Sequence, residues 1–167
     1  MIKCVAFDCF GTVFNMDDIC RHEIKDYVEH VKREDFTPYD FPPDWWDLTA
    51  HPDSRKGIAA IQLQGVKCVA LSNGSVDLIY RISHRNGIHW DAIIDLVSHR
   101  VYKPNIDAYR TVEKDLGFLP HETLMVTANP TFGDVEGSAA IGMPSKVIRH
   151  GFPNTILELA EWLDNPF

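Results

Sequence analysis

Residues 3–12 read Lys-Cys-Val-Ala-Phe-Asp-Cys-Phe-Gly-Thr, and they decide the fold. Lys3 to Phe7 is a short apolar run with β-branched and aromatic members, the pattern of a strand covered on both faces. It stops at Asp8, and Gly11 then marks a loop. Asp8 therefore stands at the carboxyl end of a buried strand.

Working outward, Asp17 to Glu34 carries apolar residues at Cys20, Ile24, Tyr27, Val28 and Val31 with charge elsewhere, the spacing of an amphipathic helix, and Asp17 and Asp18 suit its N-terminus. Asp35 to Asp53 holds Pro38, Pro42, Pro43 and Pro52 around Trp45 and Trp46 and reads as an ordered loop. Helices follow at Ser54–Gln64, Ser75–Arg85, Asn105–Leu116 and Asn154–Leu163. They alternate with strands at Val66–Leu71, Ile93–Val97, Thr123–Ala128 and Lys146–Ile148. This alternation predicts an α/β fold with a doubly wound, mostly parallel sheet of five strands.

Composition narrows the function. The chain has 167 residues, 45% of them hydrophobic, enough for one well-buried core and a single domain over 1–167. Net charge is −8, and no run of Lys and Arg forms a stripe along which phosphates could track, which argues against nucleic-acid binding. Cys4, Cys9, Cys20 and Cys68 lack the paired spacing of a zinc site and are expected as reduced thiols. The N-terminus is too polar for a secretion signal and no apolar run is long enough for a membrane span, so a cytoplasmic protein is expected. None of the eight histidines has a metal-binding spacing.

In open α/β sheets the ligand site forms beyond the carboxyl ends of the strands. Three polar clusters lie there: Asp8 to Thr12, Ser72-Asn73-Gly74-Ser75, and Thr127-Ala128-Asn129 leading to Asp134. Lys103 precedes the helix that feeds the fourth strand. Each cluster alone suits ordinary turn chemistry. Together they assemble a carboxylate, hydroxyls, amides and an ammonium. An ionised carboxylate beside a lysine can attack an electrophile and form a covalent intermediate, and Asp8 is the candidate.

These motifs resemble those of the haloacid dehalogenase-like (HAD) superfamily along nearly the whole chain, and look closest to the L-2-haloacid dehalogenases. Phe7-Asp8-Cys9-Phe10-Gly11-Thr12 is similar to the first motif, whose Asp is the nucleophile and whose Thr supports it. Leu71-Ser72-Asn73-Gly74-Ser75 resembles the second, in which the Ser holds the nucleophile or the substrate carboxylate and the Asn helps bind the leaving halide. Val101-Tyr102-Lys103-Pro104 resembles the third, with a charge-offsetting Lys, and Tyr109 falls where dehalogenases carry a tyrosine. Val126-Thr127-Ala128-Asn129 is similar to their Val-Ser-Ser-Asn, and Asp134 matches the last acidic position.

The resemblance implies a Rossmann-like fold and hydrolysis through an aspartyl ester. Asp8, Thr12, Ser72, Lys103 and Asp134 would be catalytic, and Phe10, Asn73, Tyr109, Thr127 and Asn129 would bind a small acidic substrate. Phe10 separates the subfamilies: phosphatases carry an Asp there to transfer a proton, and dehalogenases an aromatic. The dehalogenase reading requires no cofactor. A phosphatase would use Mg2+ held by Asp8, Asp134 and the Phe10 carbonyl, and a binding or assembly protein on the same scaffold is the reading from another class.

Two departures are visible. Only about 15–53 is available for the helical cap that dehalogenases insert after the first motif, and neither Arg21 nor Arg33 stands in a copy of their halide-binding arginine motif; both are expected on a solvated face. Pro130, Thr131, Phe132 and Gly133 lengthen the spacing between Asn129 and Asp134, an insertion able to move Asp134 out of register. Trp45 and Trp46 could close the shortened cap, form a homodimer contact or pack in the core.

Overall fold

The computed structural model describes residues 1–151 and 155–165. Five strands form one sheet: β1 (Cys4–Phe7), β2 (Lys67–Ala70), β3 (Ala92–Ile93), β4 (Thr123–Thr127) and β5 (Ser145–Val147). Their order is β3-β2-β1-β4-β5, and every pairing is parallel, where the sequence led us to expect a mostly parallel sheet. The chain winds outward from β1 to β3, then crosses back to β4. The strand order thus reverses between β1 and β4, the place where such sheets bind ligands.

Register carries the first motif to that point. Phe7 lies opposite Ala70 on one side and Val126 on the other. The Asp8 amide still donates to the Val126 carbonyl at 2.9 Å, and Leu71 donates to Phe7 at 2.9 Å. Asp8, Ser72 and Thr127 therefore leave the sheet at one edge.

Alternation along β1 divides the core into two layers. Val5 and Phe7 face a cluster that includes Phe14, Trp45, Ile58, Ile61 and Ile82. Cys4 and Ala6 face another that includes Leu71, Tyr109, Val112, Met125 and Met143. All four cysteines are free thiols.

Six α-helices surround the sheet among the described residues: α1 (Arg21–Val31), α2 (Ser54–Leu63), α3 (Val76–Arg85), α4 (Ile106–Leu116), α5 (Asp134–Ala139) and α6 (Ile156–Asp164). Side-chain caps fix several entries: Ser75 Oγ accepts from Leu78 N at 3.2 Å and Asn105 Oδ1 from Asp107 N at 2.9 Å. None of the helices among the described residues is long and apolar enough to cross a membrane.

Four expectations need correction. α1 is shorter than 17–34, because Asp17 and Asp18 lie in a turn and Cys20, at its N-cap, makes no side-chain cap. The stretch 35–53 is not all loop, since Pro43–Asp47 forms a short 3-10 helix with proline in its first turn, where the missing N–H costs nothing. β3 ends before Val97: after Ile94 donates to Ala70 at 3.0 Å, Asp95 turns the chain by accepting from the Ser98 amide and hydroxyl at 3.1 and 2.7 Å. α5 was not anticipated, being only six residues long with a glycine inside it. The expected start of the last helix, Asn154, lies outside the described residues; Thr155 caps α6, accepting from Glu158 N at 3.3 Å.

Candidate active site

Asp8 is the hub. Its Oδ2 accepts from Thr12 Oγ1 at 2.8 Å, from Asn129 Nδ2 at 2.9 Å and, more weakly, from Thr127 Oγ1 at 3.4 Å. Its Oδ1 accepts from Lys103 Nζ at 3.0 Å. Lys103 also reaches Asp134, 3.2 Å to Oδ1 and 3.4 Å to Oδ2, so one ammonium is shared by two carboxylates. Both acids and the lysine are largely buried, with 13%, 4% and 6% of the Asp8, Asp134 and Lys103 side chains exposed.

Each member is held from behind. Thr12 Oγ1 accepts from Ala128 N at 2.8 Å while it donates to Asp8, tying the first motif to the end of β4. Asn73 clamps the Lys103 backbone, accepting from its N–H at 2.8 Å and donating to its carbonyl at 3.0 Å. Asn129 donates to the Phe10 carbonyl at 2.8 Å as well as to Asp8. Gly11 makes room for that amide: its φ is +84°, and an added Cβ would stand 3.0 Å from Asn129 Nδ2.

Asp134 keeps its place despite the longer loop before it. Tyr109, fully buried, donates to its Oδ1 at 2.7 Å. A methyl group at Gly137 would collide with the Tyr109 ring, so glycine on α5 is what lets the two helices approach. Tyr109, expected at the substrate, thus lies behind Asp134 and orients it. Ser72, expected to hold the nucleophile or the substrate carboxylate, accepts from Gly74 N at 3.1 Å and makes no hydrogen bond to Asp8.

Electrostatics follow from this burial. Desolvation pushes the Asp8 carboxyl above its ordinary 3.8, with Lys103 opposing the shift and Asp134 adding to it. Burial alone would lower Lys103; Asp134 and Asp8 outweigh it and hold the ammonium well above its ordinary 10.5. With all three groups ionised the cluster carries one net negative charge.

The cluster opens into a cavity of about 160 Å³. One wall is the strand-end wall, with Asp8, Asn73, Lys103 and Asn129. Facing it are Ile24, Tyr27, Val28 and Lys32 of α1 and its end, with Trp45 from the 3-10 helix. Phe10 joins the walls, its ring 5.0 Å from Trp45, 5.5 Å from Phe41 and 6.1 Å from Tyr27 between centroids. Trp45 is fully buried and Trp46 partly so. Arg21 is exposed, and the exposed Arg33 pairs with Asp35 at 2.9 Å.

Sequence reasoning placed Tyr27 on the apolar stripe of its helix, and nothing in the pattern marked its hydroxyl as facing a site. Lys32 was missed for the same reason: helical periodicity reports which side is buried, not what that side meets.

The donor set does not suit Mg2+, which needs several oxygen ligands in octahedral array. Asp8 Oδ1 and both Asp134 oxygens already face the Lys103 ammonium, and the Phe10 carbonyl already accepts from Asn129. A cation between the acids would have to displace the lysine.

The fold and site together define an α/β protein with a buried, lysine-paired carboxylate at the strand-order reversal of a parallel sheet. The chain belongs to the haloacid dehalogenase-like hydrolases, whose family pattern it matches over residues 22–142. The (S)-2-haloacid dehalogenase of Xanthobacter autotrophicus is 27% identical in an alignment covering 85% of this chain and 73% of that protein. Haloacetate dehalogenase H-2 of a Moraxella species is 33% identical, over 63% of this chain and 47% of the relative, so the match spans about half of that protein. Among solved structures, an L-2-haloacid dehalogenase from Xanthobacter autotrophicus with chloropropionic acid covalently bound superposes with a TM-score of 0.77 at 20% identity, over 99% of each chain, a likeness of fold.

Proposed function

We propose that this hydrolase is a 2-haloacid dehalogenase that displaces halide from a small acid with Asp8 as nucleophile. The observation that carries the reading is Asp8 itself: a lysine-paired carboxylate opening into a small cavity where Phe10, which cannot transfer a proton, occupies the neighbouring position. At about 160 Å³ the cavity falls below the size of drug-like pockets and suits an acid of a few carbons. The haloacid named for both relatives points to the same substrate class.

Three donors hold Oδ2 and only Lys103 holds Oδ1, so Oδ1 is the freer oxygen to attack the carbon that bears halogen. The new C–O bond forms as the carbon–halogen bond breaks, and halide leaves with the bonding pair. Water then attacks the Asp8 carbonyl carbon, one of its protons passing to Asp134. As the acyl–oxygen bond breaks, Asp134 returns that proton to the departing hydroxy-acid oxygen, and the water's second proton is released to solvent, which regenerates the Asp8 carboxylate. Lys103 and Asn129 stabilise charge on the oxygens during both steps. Lys32 supplies a second positive charge for the substrate's carboxylate, offsetting the net negative cluster.

The segment 15–53 acts as a reduced cap over a single domain, with α1 and Trp45 closing the cavity in place of a larger insertion. The reaction uses no cofactor, and the setting is the cytoplasm.

The test is halide release from the two enantiomers of 2-chloropropionate, with and without Mg2+, beside a phosphate ester. Halide release independent of Mg2+ supports the reading. Phosphate release dependent on Mg2+ with no halide release overturns it.

A further inference from the structure

Displacement at a tetrahedral carbon places the leaving group opposite the nucleophile, so halide departs from the strand-end wall toward α1. Something on that far wall must meet a developing anion, and Arg21 and Arg33 are both exposed. The polar groups there are Tyr27, Lys32 and Trp45. Trp45 Nε1 already donates to Glu23 at 3.2 Å, and Lys32 is exposed at the end of α1. The Tyr27 hydroxyl has the Asn73 side-chain amide beside it as a donor to its oxygen, and its own hydrogen is given to no acceptor among the described residues. Its ring is fixed by Trp45, Tyr39 and Phe41 at 5.3, 5.6 and 5.6 Å, which leaves the hydroxyl little freedom.

Resting on the dehalogenase reading, we propose that the Tyr27 hydroxyl donates a hydrogen bond to the departing halide, a neutral donor supplied by the reduced cap. No proton moves: the C–O bond to Asp8 forms, the carbon–halogen bond breaks, and halide takes the electron pair while Tyr27 keeps its hydrogen. Retention is favoured because burial pushes the phenol up, more than Lys103 and Asn73 pull it down.

The experiment compares Tyr27→Phe with wild type on chloroacetate, bromoacetate and iodoacetate. A hydrogen bond to a charged acceptor corresponds to roughly tenfold or more in rate. The expected result is a kcat/KM loss of about that size on chloroacetate that shrinks toward iodoacetate, because iodide leaves readily and accepts hydrogen bonds poorly. Replacing Tyr27 by 3-fluorotyrosine, whose hydroxyl is a stronger donor in the same ring, should move the chloride-to-iodide rate ratio the opposite way. A packing role would lower all three substrates alike, and a uniform loss, or none, overturns the assignment. A wild type that releases no halide from any substrate overturns the dehalogenase reading and this assignment with it. Halide release by wild type with a flat Tyr27→Phe profile removes Tyr27 alone.

Discussion

The two walls of the cavity are built on opposite principles. The strand-end wall is a closed polar network in which Asp8, Lys103, Asp134, Thr12, Asn129 and Tyr109 each have partners at 2.7 to 3.4 Å. The facing wall is mostly apolar and is held by aromatic contacts among Phe10, Tyr27, Phe41 and Trp45. Networks of buried polar groups tolerate little change, because each deletion strands a partner in low dielectric. Packed aromatics lose only area and contact when trimmed. The first wall should therefore be brittle and the second forgiving.

The largest effect expected is on chemistry. Asp8→Asn keeps the shape of the side chain but removes the nucleophile, and halide release should fall by at least about 10⁴-fold. A stopped assay reading free halide checks it; activity within tenfold of wild type would move the nucleophile elsewhere in the cluster.

Next comes the ion cluster itself. Lys103→Met leaves two buried carboxylates facing each other without a cation, and breaking such a buried pair costs about 3–5 kcal/mol. Urea denaturation at neutral pH measures this, and a loss below 1 kcal/mol would mean that water already screens the acids. Because Asp134 and Asp8 hold Lys103 well above its ordinary 10.5, its contribution is fully present below that value and disappears only as pH rises through the higher folded one. Tyr109→Phe is a smaller change in the same network. Asp134 keeps Lys103 but loses the 2.7 Å bond, so stability should drop by about 1–2 kcal/mol, with kcat lowered more than KM is raised.

The acid limb of the pH profile tests burial directly. Asp8 must be ionised to attack and its carboxyl lies above 3.8, so activity should fall as pH drops through a midpoint higher than that of an exposed aspartate. Thr12 donates to the ionised form and lowers the midpoint. Thr12→Val, similar in shape but without the hydroxyl, should move the acid limb upward. A profile unchanged by Thr12→Val would place the titrating group outside this hydrogen bond.

The same contrast between walls governs how much could be read from the sequence. Strand-end residues announce themselves, since an apolar run that stops at a polar cluster is both a local signal and a position in the sheet. Asp8, Lys103 and Asp134 thus fell together as expected, and Tyr109 fell beside them although its contact is with Asp134 rather than the cavity. The facing wall depends on where α1 and the proline-rich stretch come to rest, which no local pattern records. Proline content suggested loop throughout 35–53, yet burial of Trp45 against Phe10 stabilises a helical turn there. β3 was overextended because Ile94 and Leu96 are buried without continuing the strand. Short α5 carries glycine for contact with Tyr109, and a propensity reading counts that glycine against a helix.

The smallest predicted effect falls on the forgiving wall. Phe41 is buried against Phe10, Tyr27 and Trp45 with centroids 5.2 to 5.6 Å apart and makes no polar side-chain contact. Phe41→Leu keeps most of the apolar volume and loses the ring contacts, so stability should fall by about 1 kcal/mol. Halide release should stay within a few-fold of wild type, because Tyr27 retains Trp45 and Tyr39 as supports. A chemical denaturation curve and one steady-state assay settle both points. If Phe41→Leu instead removes activity as deeply as Lys103→Met, the aromatic wall is itself part of the positioning network, and the division between a brittle wall and a forgiving one fails.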